Sequence, residues 1–146
     1  MLSEERLKQL DVLQENLGYS FRNLNLLNKA LTHKSYVNER NSAIKNNERF
    51  EFLGDSVLDL IVSDYTVKAY ADHNEGPLSK IRASVVNESC LARLAGKIKL
   101  GDYLLLGRGE ELSGGRNKNS LLANVFEAVA GAVYLDSGME TANAAF

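Results

Sequence analysis

Glu48, Glu51 and Asp55 recur at i, i+3 and i+7 in a stretch whose apolar residues Phe50, Leu53, Val57, Leu60 and Ile61 fall on the opposite side. At about 100° per residue the three carboxylates share one face of a helix. Like charges stacked in this way repel by about a few tenths of a kcal/mol per neighbouring pair. No base stands at the intervening i+4 positions to relieve them, so an external cation is the simplest source of compensation. A second anomaly lies further on. The run SLLANVFEAVAGAVYL is apolar nearly all round and reads as a helix at the centre of the domain, yet it carries Asn124 and Glu127 three residues apart. An ionised carboxylate in such a helix is costly to bury unpaired, and the segment has no base, so Glu127 must meet a base from elsewhere, a proton or a metal. One hard-cation site shared by Glu51, Asp55, Asn124 and Glu127 accounts for both anomalies. An oxygen-only donor set favours magnesium or manganese over zinc.

Charge is distributed to match. The chain has 146 residues and a net charge of −2, which by itself argues against a polyanion ligand. The average hides a division, since residues 47–75 hold seven acids against two bases and residues 76–118 hold eight bases against four acids. An acidic block beside a basic one suits a cation-dependent enzyme acting on a polyanion. Arg108 and Arg116, in the glycine-rich turns Gly107-Arg108-Gly109 and Gly114-Gly115-Arg116, are candidates to touch phosphate, although neither turn has the order of a phosphate-binding loop. His33 has no acidic or histidine neighbour at ligand spacing and reads as a structural hydrogen-bonding residue. The lone Cys90 can build neither a disulfide nor a cysteine metal site and reads as a small core residue. No run of about 18 apolar residues or secretory leader is present, so the protein is expected in the cytoplasm, with no membrane association.

The elements that must position these groups are helical. Strand patterns are nearly absent and the only proline is Pro77, which together predict an all-α fold. Leu7, Leu10, Leu13 and Leu17 mark a first helix ending near Gly18; a second is expected over 23–33, and 38–47 reads as a polar loop. A long helix is expected over 48–71, another over 78–86 behind Pro77, and another from an Asn87 cap to about Lys97. Residues 103–106 are too few to classify and 107–117 read as turns. The buried helix covers 119–135 and a further helix begins at Met139. Ala123, Ala128, Ala130 and Gly131 would let a neighbouring helix approach closely. Phe52 falls at the edge of the carboxylate face, where either a symmetric partner or the 38–47 loop would have to cover it.

The segment NNERFEFLGDSVLDLIV, Asn46 to Val62, closely resembles the signature of the ribonuclease III family. ALTHKSY before it, and EGPLSKIRASVVN, LGRGEELSGGRN and LLANVFEAVAGAVYLDSG after it, extend the resemblance over nearly the whole chain. It implies the all-helical, homodimeric endonuclease domain of the bacterial type over residues 1–146. It further implies hydrolysis of phosphodiesters in both strands of double-stranded RNA, leaving 5′-phosphates and short 3′ overhangs, in processing of ribosomal and other RNAs. Glu51 and Asp55 match the acids of the signature helix and Glu127 the acid of the later segment, a magnesium-binding set in which Asp55 and Glu127 are the acids most often named catalytic; manganese is expected to substitute, and no small-molecule cofactor is implied. Glu48 and Glu75 match further acids lining the cleft, and Phe52 a residue that plugs into the partner subunit. Two departures stand out. Asn124 occupies a position where much of the family has aspartate, which removes one formal charge, and it reads as a natural variant. The C-terminal double-stranded-RNA-binding domain usual in the bacterial enzymes is absent, so the chain reads as an isolated catalytic domain, truncated before that module. The competing readings are a noncatalytic RNA-binding or dimerisation module with a weakened metal site, against which the number of repelling carboxylates argues, and a purely structural helical protein, which would need a base buried against Glu127 where the nearby sequence offers none.

Overall fold

The computed structural model describes residues 2–41 and 45–146. Its helices are α1 (Glu4–Leu17), α2 (Leu24–Ala30), α3 (Lys34–Arg40), α4 (Glu48–Ala69), α5 (Glu75–Val85), α6 (Glu88–Lys97), α7 (Arg108–Leu112), α8 (Asn119–Ser137) and α9 (Met139–Ala145), with 3-10 turns at Leu100–Tyr103 and Gly115–Asn117. No strand occurs among the described residues; a single parallel bridge joins Thr32 to Leu105. The all-α expectation therefore holds.

Local chemistry explains most boundaries. Ser3 Oγ accepts from the Arg6 amide at the start of α1, and Gly18, at φ 78°, ends the helix in the left-handed conformation that glycine adopts without strain. Asn23 caps α2 and Asn87 caps α6, the latter by accepting from the Cys90 amide at 2.9 Å. Two expected segments need correction. The second helix stops at Ala30, and residues 34–40, of which 34–37 had no expected element and 38–40 belonged to the expected loop, form α3, capped by His33. The turn region 107–117 contains α7. Both helices are short and bury no residue completely, so neither leaves an apolar stripe to read. The part of the expected loop at 42–44 lies outside the described residues.

α8 is the axis of the domain. Val125, Val129 and Val133 are almost wholly buried, as are Ala128, Ala130 and Ala132 between them. α4, α6 and α2 pack around it. The α4 and α8 backbones approach to a distance only glycine permits. A Cβ on Gly54 would fall 1.6 Å from the Glu127 carbonyl oxygen, and one on Gly131 would fall 2.4 Å from that of Phe50. The two glycines thus face each other's helix one residue from Asp55 and four from Glu127, and this crossing brings the two acids together. The close approach at Gly131 is as expected; its counterpart Gly54 was not singled out.

Backbone bonds over long sequence separations fix the start of α4. Leu105 is bridged on both sides, its N–H donating to Leu31 and its carbonyl accepting from His33. Asn47, 4% exposed, donates its backbone N–H to Thr32 and its side-chain amide to the Ala30 carbonyl. These ties hold His33 and Lys34 beside the first turn of α4.

Candidate active site

α4 presents Glu48, Glu51, Asp55 and Asp59 along one side, and α8 presents Asn124 and Glu127 beside them. Glu48, Asp55 and Asn124 are exposed, whereas Glu51, Asp59 and Glu127 are half-buried. The Asp55 and Glu127 carboxyl groups lie within hydrogen-bonding reach of each other. Glu127 has its proton affinity pushed up to about 8, first by burial, then by the hydrogen bond to Asp55 and its charge, and further by Glu51 and Asp59. Glu51 is raised by burial and by Glu48 and Asp55, with Lys34 opposing. Asp59 is raised by burial and by Asp55, with Arg82 opposing. Of the three partners open to Glu127, the base is missing among the described residues, and burial beside Asp55 favours the protonated form of Glu127. That donor chemistry fits a hard cation.

The acids do not form a closed cage. Among the described residues no three His, Cys, Asp or Glu side chains converge tightly enough to surround an ion. An open arrangement of one or two carboxylates suits magnesium, which keeps several waters and takes further oxygens from a substrate phosphate.

Beside the Asp55–Glu127 pair, a hollow of about 540 Å³ is lined by Glu48, Glu51 and Asn124, with His33, Lys34, Glu110, Lys118 and Ser120 around the rest of its wall. The structure thus gathers five of the sequence-derived acids and amides, Glu48, Glu51, Asp55, Asn124 and Glu127, along one α4–α8 cleft. Glu75 stands apart. It begins α5 and lines a separate hollow with Ser63, Thr66 and Arg82, so one protomer does not bring it to the cleft. Arg116 is engaged elsewhere too. Its guanidinium pairs with Glu111 and donates to the carbonyls of Gly101 and Leu104 at 2.8 and 3.1 Å, which ties the 3-10 turns to the core. Arg108 is exposed at the start of α7, its backbone N–H donating to the Glu39 carboxylate. His33 has the structural role expected of it, with Nδ1 accepting from the Ser35 amide at 3.1 Å. Cys90 is half-buried.

Phe52 is 81% exposed, so the described residues do not cover it. Leu60, assigned to the core side from its spacing, is also exposed, as is Val67. Phe52, Leu60 and Val67 are spaced by eight and seven residues, which places them on one stripe of α4. That stripe was missed because each residue fits an apolar face when taken alone. Asp59, one turn beyond Asp55, was missed because it extends the acidic row past the motif.

These features define a helical domain with an open cleft lined by carboxylates and an apolar stripe beside it. Residues 23–146 match the sequence pattern of the ribonuclease-III-like family, and the chain belongs to that family. It is 52% identical over 141 residues to Ribonuclease 3 of Borreliella burgdorferi, an alignment covering 97% of this chain and 58% of that protein. It is 48% identical over 141 residues to Ribonuclease 3 of Treponema denticola, covering 97% and 57%. The chain thus spans little more than half the length of these relatives. In three dimensions it is similar to the nuclease domain of ribonuclease III from Campylobacter jejuni, with a TM-score of 0.87 and 44% identity, covering 93% of this chain and 92% of the other. That structure is described by flexibility in a region involved in dimer formation. The fold is the nuclease-domain fold.

Proposed function

We propose that this chain is the catalytic domain of a magnesium-dependent endoribonuclease that works as a homodimer and hydrolyses both strands of double-stranded RNA, leaving 5′-phosphates and short 3′ overhangs. The observation that carries this reading is the half-buried Glu127 carboxyl, without a base among the described residues and set beside Asp55 at the crossing of α4 and α8. The similarity to Ribonuclease 3 proteins supports it.

In the mechanism, Glu51, Asp55 and Glu127 would hold magnesium, or manganese in its place, with the Asn124 amide oxygen completing the protein ligands. The cation supplies charge that activates a water and neutralises the leaving 3′ oxygen. Asp55 and Glu127, the latter in its ionised form, would orient the attacking water from the α4–α8 crossing. Glu48 borders the same cleft and holds its α4 wall negative. Gly54 and Gly131 set the two acids side by side by letting the α4 and α8 backbones pack in direct contact. Arg108, exposed and unengaged by a side-chain hydrogen bond among the described residues, is placed to meet the RNA backbone. Arg116 acts mainly as a brace. An RNA duplex is read by shape, 2′-hydroxyl and phosphate contacts, which matches a cleft without an aromatic base-reading surface.

The stripe Phe52, Leu60, Val67 supports association with a second copy. A twofold dimer buries it and sets two cleavage centres against two antiparallel strands. In that arrangement Glu75, distant from the cleft within one protomer, serves as a cleft acid only across the interface. No helix among the described residues is long and apolar enough to cross a membrane; the cytoplasm, where ribosomal and other precursor RNAs are processed, is the compartment this reading assigns.

The test is cleavage of an end-labelled RNA duplex with magnesium, manganese or chelator. Metal-dependent cuts in both strands that Glu127→Gln abolishes are the expected result. Duplex binding without cleavage by the parent and by Asn124→Asp would overturn the reading in favour of a noncatalytic module.

A further inference from the structure

The hollow beside the carboxylates has a second chemical face that the metal site does not use. Of its acids, Glu48 and Glu51 lie on α4 and Glu110 on α7, whereas Lys34 and His33 come from the start of α3 and Lys118 and Ser120 from the start of α8. His33 is oriented for one purpose besides capping. Its Nδ1 accepts from the Ser35 amide and lies 2.7 Å from Ser35 Oγ, and burial keeps the ring on the neutral side of its usual range, so the ring proton belongs on Nε2. Nε2 has no hydrogen-bond partner among the described residues. Lys118 meets Glu110 at 2.9 Å, an ion pair that is partly exposed and hence weak. Lys34 has no ion pair among the described residues.

We infer that this basic wall, formed by His33 Nε2–H, Lys34 and Lys118, is a binding subsite for the phosphodiester adjoining the scissile one in the same RNA strand. The inference rests on the proposed nuclease function and extends it. Three donors from two separated segments converge on a cavity contiguous with the cation cleft, and none of the three is needed to hold the cation. A phosphate entering there displaces Glu110 from Lys118, exchanging a carboxylate partner for a more highly charged chain. The donors contact a non-reacting part of the substrate, so they strengthen binding of ground state and transition state alike, and their loss raises KM without lowering kcat.

The test compares the parent with Lys34→Gln, Lys118→Gln and His33→Asn, and with Lys97→Gln, which borders a separate apolar hollow. Asparagine at 33 keeps an oxygen to cap α3 but does not extend into the cavity. Cleavage of a labelled RNA duplex is followed across potassium chloride concentrations, together with the melting temperature of each variant. Each lysine substitution should raise KM several-fold at unchanged kcat and flatten the slope of log kcat/KM against log salt by about 0.7 to 0.9, the signature of one lost phosphate contact. His33→Asn should raise KM while melting with the parent, and Lys97→Gln should match the parent throughout. Parent cleavage with all three variants unchanged in KM and salt slope overturns the subsite and leaves the nuclease reading intact. A loss of kcat alone, or a His33→Asn defect that follows a fall in melting temperature, also overturns it. A parent that neither cuts nor binds the duplex overturns both.

Discussion

Replacing Glu127 by glutamine should stabilise the metal-free protein at alkaline pH while abolishing its activity. The Glu127 carboxyl titrates near 4.5 when unfolded and at about 8 in the fold, raised chiefly by burial and by Asp55. Because the folded value is the higher one, the native state binds the extra proton between these limits. Its contribution is fully present below pH 4.5 and is lost as pH rises to about 8. At about 1.4 kcal/mol per pH unit, that span corresponds to a ceiling of about 5 kcal/mol. Glu127 is only half-buried, and solvent screening of such a group reduces the figure to about 1–2 kcal/mol. For a domain of this size about 4 °C of melting temperature accompanies each kcal/mol. Thermal melts in chelator should therefore show parent and Glu127→Gln within about 2 °C of each other at pH 5, with the variant about 4–8 °C higher at pH 8.5. Magnesium at pH 8.5 should raise the parent, by about 2.7 kcal/mol at a hundredfold excess over its dissociation constant, and raise the variant far less. A difference between the two proteins that does not change from pH 5 to pH 8.5, or a parent that melts above the variant at pH 8.5 without metal, would refute the electrostatic account of the site.

Other consequences follow from the packing. Gly131→Ala forces a methyl group against the Phe50 carbonyl and should cost about 2 kcal/mol or more through separation of α4 and α8; denaturant unfolding reads the loss, and kcat should fall further than stability alone explains because Asp55 and Glu127 part. Phe52→Ala removes an 81% exposed ring and should leave monomer unfolding within about 0.5 kcal/mol of the parent, yet shift sedimentation toward monomer and make specific activity depend on concentration. Asn124→Asp restores a charge at the cleft and should lower the magnesium concentration for half-maximal cleavage; no change in that concentration would remove Asn124 from the ligand set. Asn47→Ala loses the bond to Ala30 inside the core and should cost about 1–3 kcal/mol in unfolding free energy.

How far the sequence disclosed this architecture depends on the range of the interactions involved. The long helices were readable because each carries its own periodicity and stop signals, as at Gly18 and Asn87. The acids Glu51, Asp55 and Glu127 were readable because charge without compensation is conspicuous within apolar helices. α3 and α7 were not, being short and set by ties such as Ser35 to Gly107, whose N–H donates to Ser35 Oγ at 2.9 Å across 72 positions. The same holds for the basic wall of the cleft. Lys34 and Lys118 look like ordinary surface lysines until the Gly107–Ser35 bond and the Lys118–Glu110 pair bring their segments together. Gly54 carries no distinguishing signal in the sequence, and only its approach to Glu127 reveals that the helices cross there. Leu60 fitted the core side by angle, and the exposed stripe it shares with Phe52 and Val67 becomes meaningful only against a second copy.

The most direct test of the central claim is end-group mapping of both strands of an RNA duplex after incubation with magnesium, beside a single-stranded RNA of the same sequence. The account predicts metal-dependent cuts in both strands of the duplex, offset to leave short 3′ overhangs with 5′-phosphates, and little cutting of the single strand. Cleavage that persists in chelator, or that consumes the single strand as readily as the duplex, would contradict it.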